Sequence, residues 1–230
     1  MPDKPKSFRH EESPLSQDDL VRLQAVLVNI KNRMLWLLDL KGDQPWWVVE
    51  AAFLNMRQVL ESIMMLSFTA HRPYVDELSK TLLKKEASGI RGFLQARNSD
   101  YWPTPATYRE DGASAELVVQ DGDYLRENEW GGLHGKVSDV LHSRNPYREA
   151  LNMPALLQDL PLAIAKTVHL TNSFVITMAD HGAVVFCDIS YKKRDQVPRA
   201  MVGLQTDRFQ HLLDDSLPAV RVTRVETVDE

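Results

Sequence analysis

The chain has 230 residues, of which 43% are hydrophobic and 26% charged, with a formal net charge of −5. That length carries one large domain or two small ones around a sizeable core, and the balance is that of a globular protein. The acidic excess excludes a global field that attracts nucleic acid, so any such binding needs a local basic patch.

A single cysteine, Cys187, excludes an intramolecular disulfide and fits a reducing compartment. The N-terminal stretch MPDKPKSFRHEESPLSQDD has no apolar signal-peptide core, so the cytoplasm is expected. Residues 1–15 are polar with three prolines, and a disordered tail is expected. A first helix starts at Ser16, which with Asp19 resembles a capping box. Leu20, Leu23, Leu27, Ile30, Met34 and Leu37 then form one apolar stripe, and Gly42 stops it.

Residues 45–71, PWWVVEAAFLNMRQVLESIMMLSFTAH, follow. Pro45 suits the first helical position, and no Gly or Pro interrupts Trp46 to Ala70. Apolar residues occupy most of the circumference, as in a helix buried among others. Glu50, Arg57 and Glu61 share one line, with Arg57 and Glu61 spaced for direct pairing. These charges argue against a membrane span. The stripe reads either as a solvated or ion-paired seam, or as Arg57 facing a cleft to hold an anion through its planar fork.

A third helix is expected over residues 74–85, broken at Ser88 or Gly89, with a short one through Ile90, Phe93 and Leu94. Residues 101–112 read as a loop or irregular hairpin because of Pro103, Pro105 and Gly112, and 116–120 as a short strand. Asp123 is placed to cap a helix through Leu125, Leu133, Val137, Val140 and Leu141, which Gly131, Gly132 and Gly135 weaken. Another helix covers 153–170. The pattern then turns β-rich at 174–178, 183–189 and 199–204, with a turn at Asp180-His181-Gly182. A short helix is expected over 209–213. The tail AVRVTRVETV alternates like a strand able to join a sheet edge in this chain or another.

These elements predict a mainly α protein of α+β class: a helical bundle of five to six helices around a long central helix, followed by a small antiparallel β meander. The expected division is a tail over 1–15, a helical bundle domain over 16–172 and a β-rich element with its tail over 173–230.

The segment LHGKVSDVLHSRNPY, residues 133–147, carries the densest chemistry. On a helix, Lys136, Asp139 and His142 form one stripe opposite the apolar side, with Arg144, Asn145 and Tyr147 following. Asp139 is placed to orient or charge His142, whose protonated form a helix C-terminus favours. With Arg144 the group is suited to binding phosphate or supplying a general acid. The bland alternative is a helix-capping, ion-paired cluster. His134 and His142 are eight residues apart, about 12 Å along a helix, too far to share a metal. Cys187, inside VVFCDIS, reads as a buried small residue, and Trp46 and Trp47 as core or interface.

The Arg57-Gln58-Val59-Leu60-Glu61 element, the Gly135 to His142 helix and the small β region together resemble a group of bacterial proteins. These are distantly similar to the HEPN superfamily of helical nucleotide- or RNA-binding domains. The resemblance spans about residues 16–170. It implies an RNA- or nucleotide-interacting protein, a metal-independent ribonuclease or effector in defence or toxin systems, with a site completed across a dimer. The family pattern is an Arg, often followed by Asn, with a His a few residues on. Arg144-Asn145 fits its start, Glu149, Ala150 and Leu151 stand where the His belongs, and His142 precedes the Arg. In that reading Arg144 holds phosphate, His142 moves a proton and Asn145 orients the ligand, with Lys136, Asp139 and Arg57 as further binding residues. No metal or other cofactor is expected. The alternative is a non-catalytic adaptor or oligomer, with another copy or a protein as partner.

Overall fold

The structure, a computed structural model, describes residues 14–74, 87–111, 114–141, 152–178, 182–205 and 220–227. Helix α1 (Gln17–Asp39) begins where the Ser16 hydroxyl accepts from the Asp19 backbone N–H at 3.2 Å and donates to the Asp19 carboxylate at 2.7 Å. The shorter Asp therefore caps the hydroxyl instead of reaching back to the Ser16 N–H as a Glu would. Its Leu20, Leu23, Leu27, Ile30, Met34 and Leu37 are all buried. Leu15, assigned above to the polar tail, is buried as well.

Gly42, at φ +65°, takes the left-handed turn between α1 and α2 (Trp46–Ala70). Pro45 is the N-cap of α2, one position before the first helical residue expected for it, because its ψ of 150° is still extended. Helix α2 buries fourteen residues and packs against α1, α3 and α4. A 3-10 turn, Arg72–Tyr74, follows, and the helix expected beyond it lies outside the described residues. Helix α3 (Ala87–Gln95) contains Ser88 and Gly89 in its first turn instead of being broken by them. Backbone donors there have no intrahelical partner in any case.

Strands β1 (Thr104–Asp111) and β2 (Ser114–Val119) pair as an antiparallel hairpin, the second of the two forms expected for this stretch, with β2 overlapping the strand expected over 116–120. Pro103 precedes β1 and Pro105 lies beside its start, where missing N–H groups are tolerated. Helix α4 (Glu127–Leu141) is not capped by Asp123. Instead the Arg126 N–H donates to the Glu129 carboxylate at 3.0 Å, the backward half of a capping box. Helix α5 (Met153–Asn172) starts at Asn152, whose side chain accepts from the Ala155 N–H at 3.1 Å, and it runs through Pro161.

Strands β3 (Ser173–Thr177), β4 (Ala183–Asp188), β5 (Arg199–Gln205) and β6 (Val220–Thr227) follow. The sheet is a closed antiparallel barrel in the order β1-β2-β6-β5-β4-β3, not a meander after the helices. The hairpin from the middle of the chain joins β3 on one side, and the alternating tail, as β6, joins β2 and β5 of its own chain. The class is mixed α+β.

The apolar run of β3 and β4 acquires its reason here. Phe174, Ile176, Val185 and Cys187 belong to the core shared with the helices. Val175, Val184 and Phe186 form a second cluster with Ala106, Leu117 and, at its edge, Tyr108 and Met201. Alternate residues face opposite sides of a strand, so a strand buried on both faces reads as continuously apolar. Helices α1 and α5 cover one side of the barrel. Among the described residues no helix is long and apolar enough to cross a membrane. The short helix expected over 209–213 and the turn residues 179–181 lie outside the described residues.

Candidate functional site

Of the residues singled out in the sequence, Arg57, Lys136 and Asp139 are described, while His142, Arg144 and Asn145 lie outside the described residues. Helix α4 is fixed to α2 by Trp130, a buried indole whose N–H donates to the Leu60 carbonyl at 3.0 Å. One turn later His134 stacks on that indole, with ring centroids 4.9 Å apart and planes within 14°. The stack places the His134 Nε2 3.4 Å from Glu61 Oε1, the same oxygen that accepts from Arg57 Nε at 2.8 Å. Glu61 thus sits between a guanidinium and an imidazole. The three side chains are 31% (Arg57), 36% (Glu61) and 20% (His134) exposed, so the group is open to solvent on one side.

Arg57 therefore does have a local partner, and the pairing expected along α2 is present. Lys136 does not join the group. It pairs across to Asp159 on α5 at 3.1 Å, both side chains more than half exposed. Asp139 lies three residues further along α4, on its exposed side. His134, weighed in the sequence only as a metal ligand, is the residue missing from the expected site. Its i,i+4 spacing from Trp130 was visible, but the carboxylate it meets comes from 73 residues away.

Beside the seam, α3 is tied to α4 by a second carboxylate. Glu127 accepts from Arg91 Nε at 2.6 Å and from the Tyr101 hydroxyl at 2.9 Å. Burial, then the bond to Glu127, pushes the Tyr101 phenol above its usual range, so it stays a donor. The Arg91 guanidinium also lies over the Trp130 ring, 5.8 Å from its centroid. Gly131 leaves room for it, since a Cβ there would meet an Arg91 nitrogen at 3.0 Å.

Chemically, the seam combines a cation that can hold an oxyanion, a carboxylate that selects which imidazole nitrogen carries the proton, and an imidazole near solvent. Among the described residues no group of three or more His, Cys, Asp or Glu side chains is arranged to hold a metal ion. Burial pushes the Cys187 thiol up, far from the thiolate form a nucleophile needs. Trp46 and Trp47 are exposed, at 46% and 70%, and are not part of the core. Comparison with family models, with curated proteins and with solved structures gives no significant match in any of the three.

Proposed function

We propose that the α2–α4 seam is a phosphate-handling surface and that the protein interacts with RNA or nucleotides in the manner of HEPN-like domains. The observation that supports this reading is the contact of one carboxylate, Glu61, with both Arg57 and His134 at a solvent-facing edge. His142, Arg144 and Asn145 follow the end of α4 in the sequence. In this reading Arg57 and Arg144 hold phosphate oxygens, His134 or His142 transfers the proton of a ribose hydroxyl, and Asn145, Lys136 and Asp139 position the chain of the ligand. A metal-independent ribonuclease or effector acting in bacterial defence or toxin systems is the specific form of the proposal. Incubation of the purified protein with single-stranded RNA in the presence of a chelator tests it. Cleavage, or retention that falls at least tenfold in Arg57→Ala and Arg144→Ala, is expected. RNA left intact and unretained at all salt concentrations overturns it.

A second reading, a non-catalytic interaction protein, draws on a different feature. Trp36, Trp46 and Trp47 are exposed around the turn joining α1 to α2, where indoles suit a protein partner or another copy of this chain. It predicts an assembly in light scattering that Trp47→Ala weakens and the arginine substitutions leave intact. A strictly monomeric protein that retains RNA favours the first reading.

A further inference from the structure

Where the helices meet the barrel there is a cleft of about 530 Å³, whose lining includes none of Arg57, Lys136 and Asp139. Leu35 and Leu38 of α1, Val168 of α5 and the Tyr191 ring supply its apolar lining. Gln120, His169, Asn172, Lys192 and Arg194 supply polar groups. This size, and a lining surface more apolar than polar although five of the nine residues carry polar groups, suit a small molecule.

Hydrogen bonds hold the walls in place. Lys31, 3% exposed, donates to the carbonyls of Lys193 at 2.7 Å and Gln196 at 2.6 Å, with Ser190 O at 3.5 Å, and so ties the loop after β4 to α1. Arg194 forks onto the Asp39 carboxylate at 2.9 and 2.6 Å. The Asn172 side chain accepts from the Tyr191 N–H at 3.2 Å, and the Tyr191 hydroxyl is bonded to Thr171 at 2.7 Å. In the same loop Ser190 sits at φ +50°, a strained backbone position for a residue with a side chain. Opposite, His169 is pinned. Its Nδ1 lies 3.3 Å from the Asp123 carbonyl, Tyr124 meets its ring edge-on, and Gly122 approaches so closely that a Cβ would stand 2.2 Å from the imidazole.

The charges narrow the ligand. The Arg194 cation is matched by Asp39, whereas Lys192 has no ion-pair or hydrogen-bond partner among the described residues. One unmatched cation beside an apolar wall suits one negative charge on an apolar body, and a polyphosphate would leave charge uncompensated. We infer that this cleft binds a small organic monoanion, an aromatic or short-chain carboxylate, with its acid group on Lys192 and its body against Leu35, Leu38, Val168 and Tyr191.

Indole-3-acetate and its neutral counterpart indole-3-acetamide are the probes, titrated by calorimetry or by protein-observed NMR. Wild type is expected to bind the acid more tightly than the amide. Lys192→Gln should reduce acid affinity about tenfold, as for loss of a charge-assisted hydrogen bond, and leave amide affinity unchanged. Leu38→Gln should weaken both probes. Both positions are exposed on their elements, so folding is checked by an unchanged melting curve. No binding of either probe at millimolar concentration, or equal acid affinity in wild type and Lys192→Gln, overturns the inference. Neither substitution touches the α2–α4 seam, so RNA retention should be unaffected and the two sites can fail separately.

Discussion

The α2–α4 seam and the junction of helices with barrel hold their polar groups in opposite ways. At the seam, Arg57, Glu61 and His134 pair at a solvent-facing edge, as Lys136 and Asp159 do between α4 and α5, where water competes for every charge. Such pairs typically contribute about 0–1 kcal/mol each. At the junction, Lys31 spends its three donors on backbone carbonyls 159 to 165 residues away, in a buried position. Burial pushes its ammonium pKa down, against the pull of Asp188 and Asp195. Asn98 does comparable work elsewhere between helix and barrel. Its amide donates to His71 Nε2 at 2.8 Å and to the Thr177 carbonyl at 2.9 Å, while its oxygen accepts from the Asp100 N–H at 3.0 Å. The His71 Nδ1–H in turn donates to Ser67 O at 2.7 Å. The lesson is that the conspicuous charges Arg57 and Lys136 pair where solvent reaches them, whereas the inconspicuous buried Lys31 and Asn98 hold the architecture.

Substitutions that exchange the two behaviours break this comparison. The largest expected effect is Lys31→Ala, which strips three loop carbonyls of one buried donor and should cost about 3 kcal/mol, read from urea unfolding. A loss below about 1 kcal/mol would mean that the loop after β4 is held by Arg194 and Tyr191 alone. Asn98→Leu comes next. It keeps the volume but removes the buried bonds to the His71 nitrogen and the Thr177 carbonyl, for about 2 kcal/mol. Trp130→Phe removes the bond to Leu60 O and weakens the stack under His134. About 1–2 kcal/mol is expected, together with a changed His134 imidazole shift in NMR. In contrast, Arg57→Ala should change the unfolding free energy by less than about 1 kcal/mol while lowering RNA retention at least tenfold.

A pH titration sharpens the same contrast with the smallest effect. The Lys166 ammonium, at 2.6 Å, and the Arg126 backbone N–H hold the Glu129 carboxyl below its usual range. Its folded pKa lies below the unfolded one, so its contribution is present above the unfolded value. That contribution is lost as pH falls through the folded value. Stability should therefore decline on acidification into the carboxylate range, and Glu129→Gln should flatten that slope. Asp39, held low chiefly by its hydrogen bond from Arg194, adds in the same direction. An identical pH profile in Glu129→Gln would show that the pair carries no linked stability.

Much of the local structure was legible before any coordinate. The α1 stripe, the Ser16–Asp19 cap, the Arg57–Glu61 pair and strands β3, β4 and β5 depend on spacing within a few residues, and sequence displays spacing directly. The α4 start was misread because an acidic residue near a helix start looks like a cap wherever it falls. The true cap is Arg126 with Glu129, and Asp123 pairs with Lys166 instead. The site was half legible: Arg57 was named, but His134 needed a carboxylate from another helix to become interesting.

What the amino-acid order determined by itself is therefore α1, α2, α5 and the strands β3, β4 and β5, through periodicity, caps and turn residues. Tertiary structure alone decided that β1 and β2, carrying two prolines in or beside them, complete a barrel that the tail closes. It alone put His134 on Glu61, and it alone opened a cleft beside Lys192. Strand partners and cross-helix contacts join residues tens to more than a hundred positions apart. The free energy that selects them comes from burying two faces at once, a quantity no single stretch of chain contains.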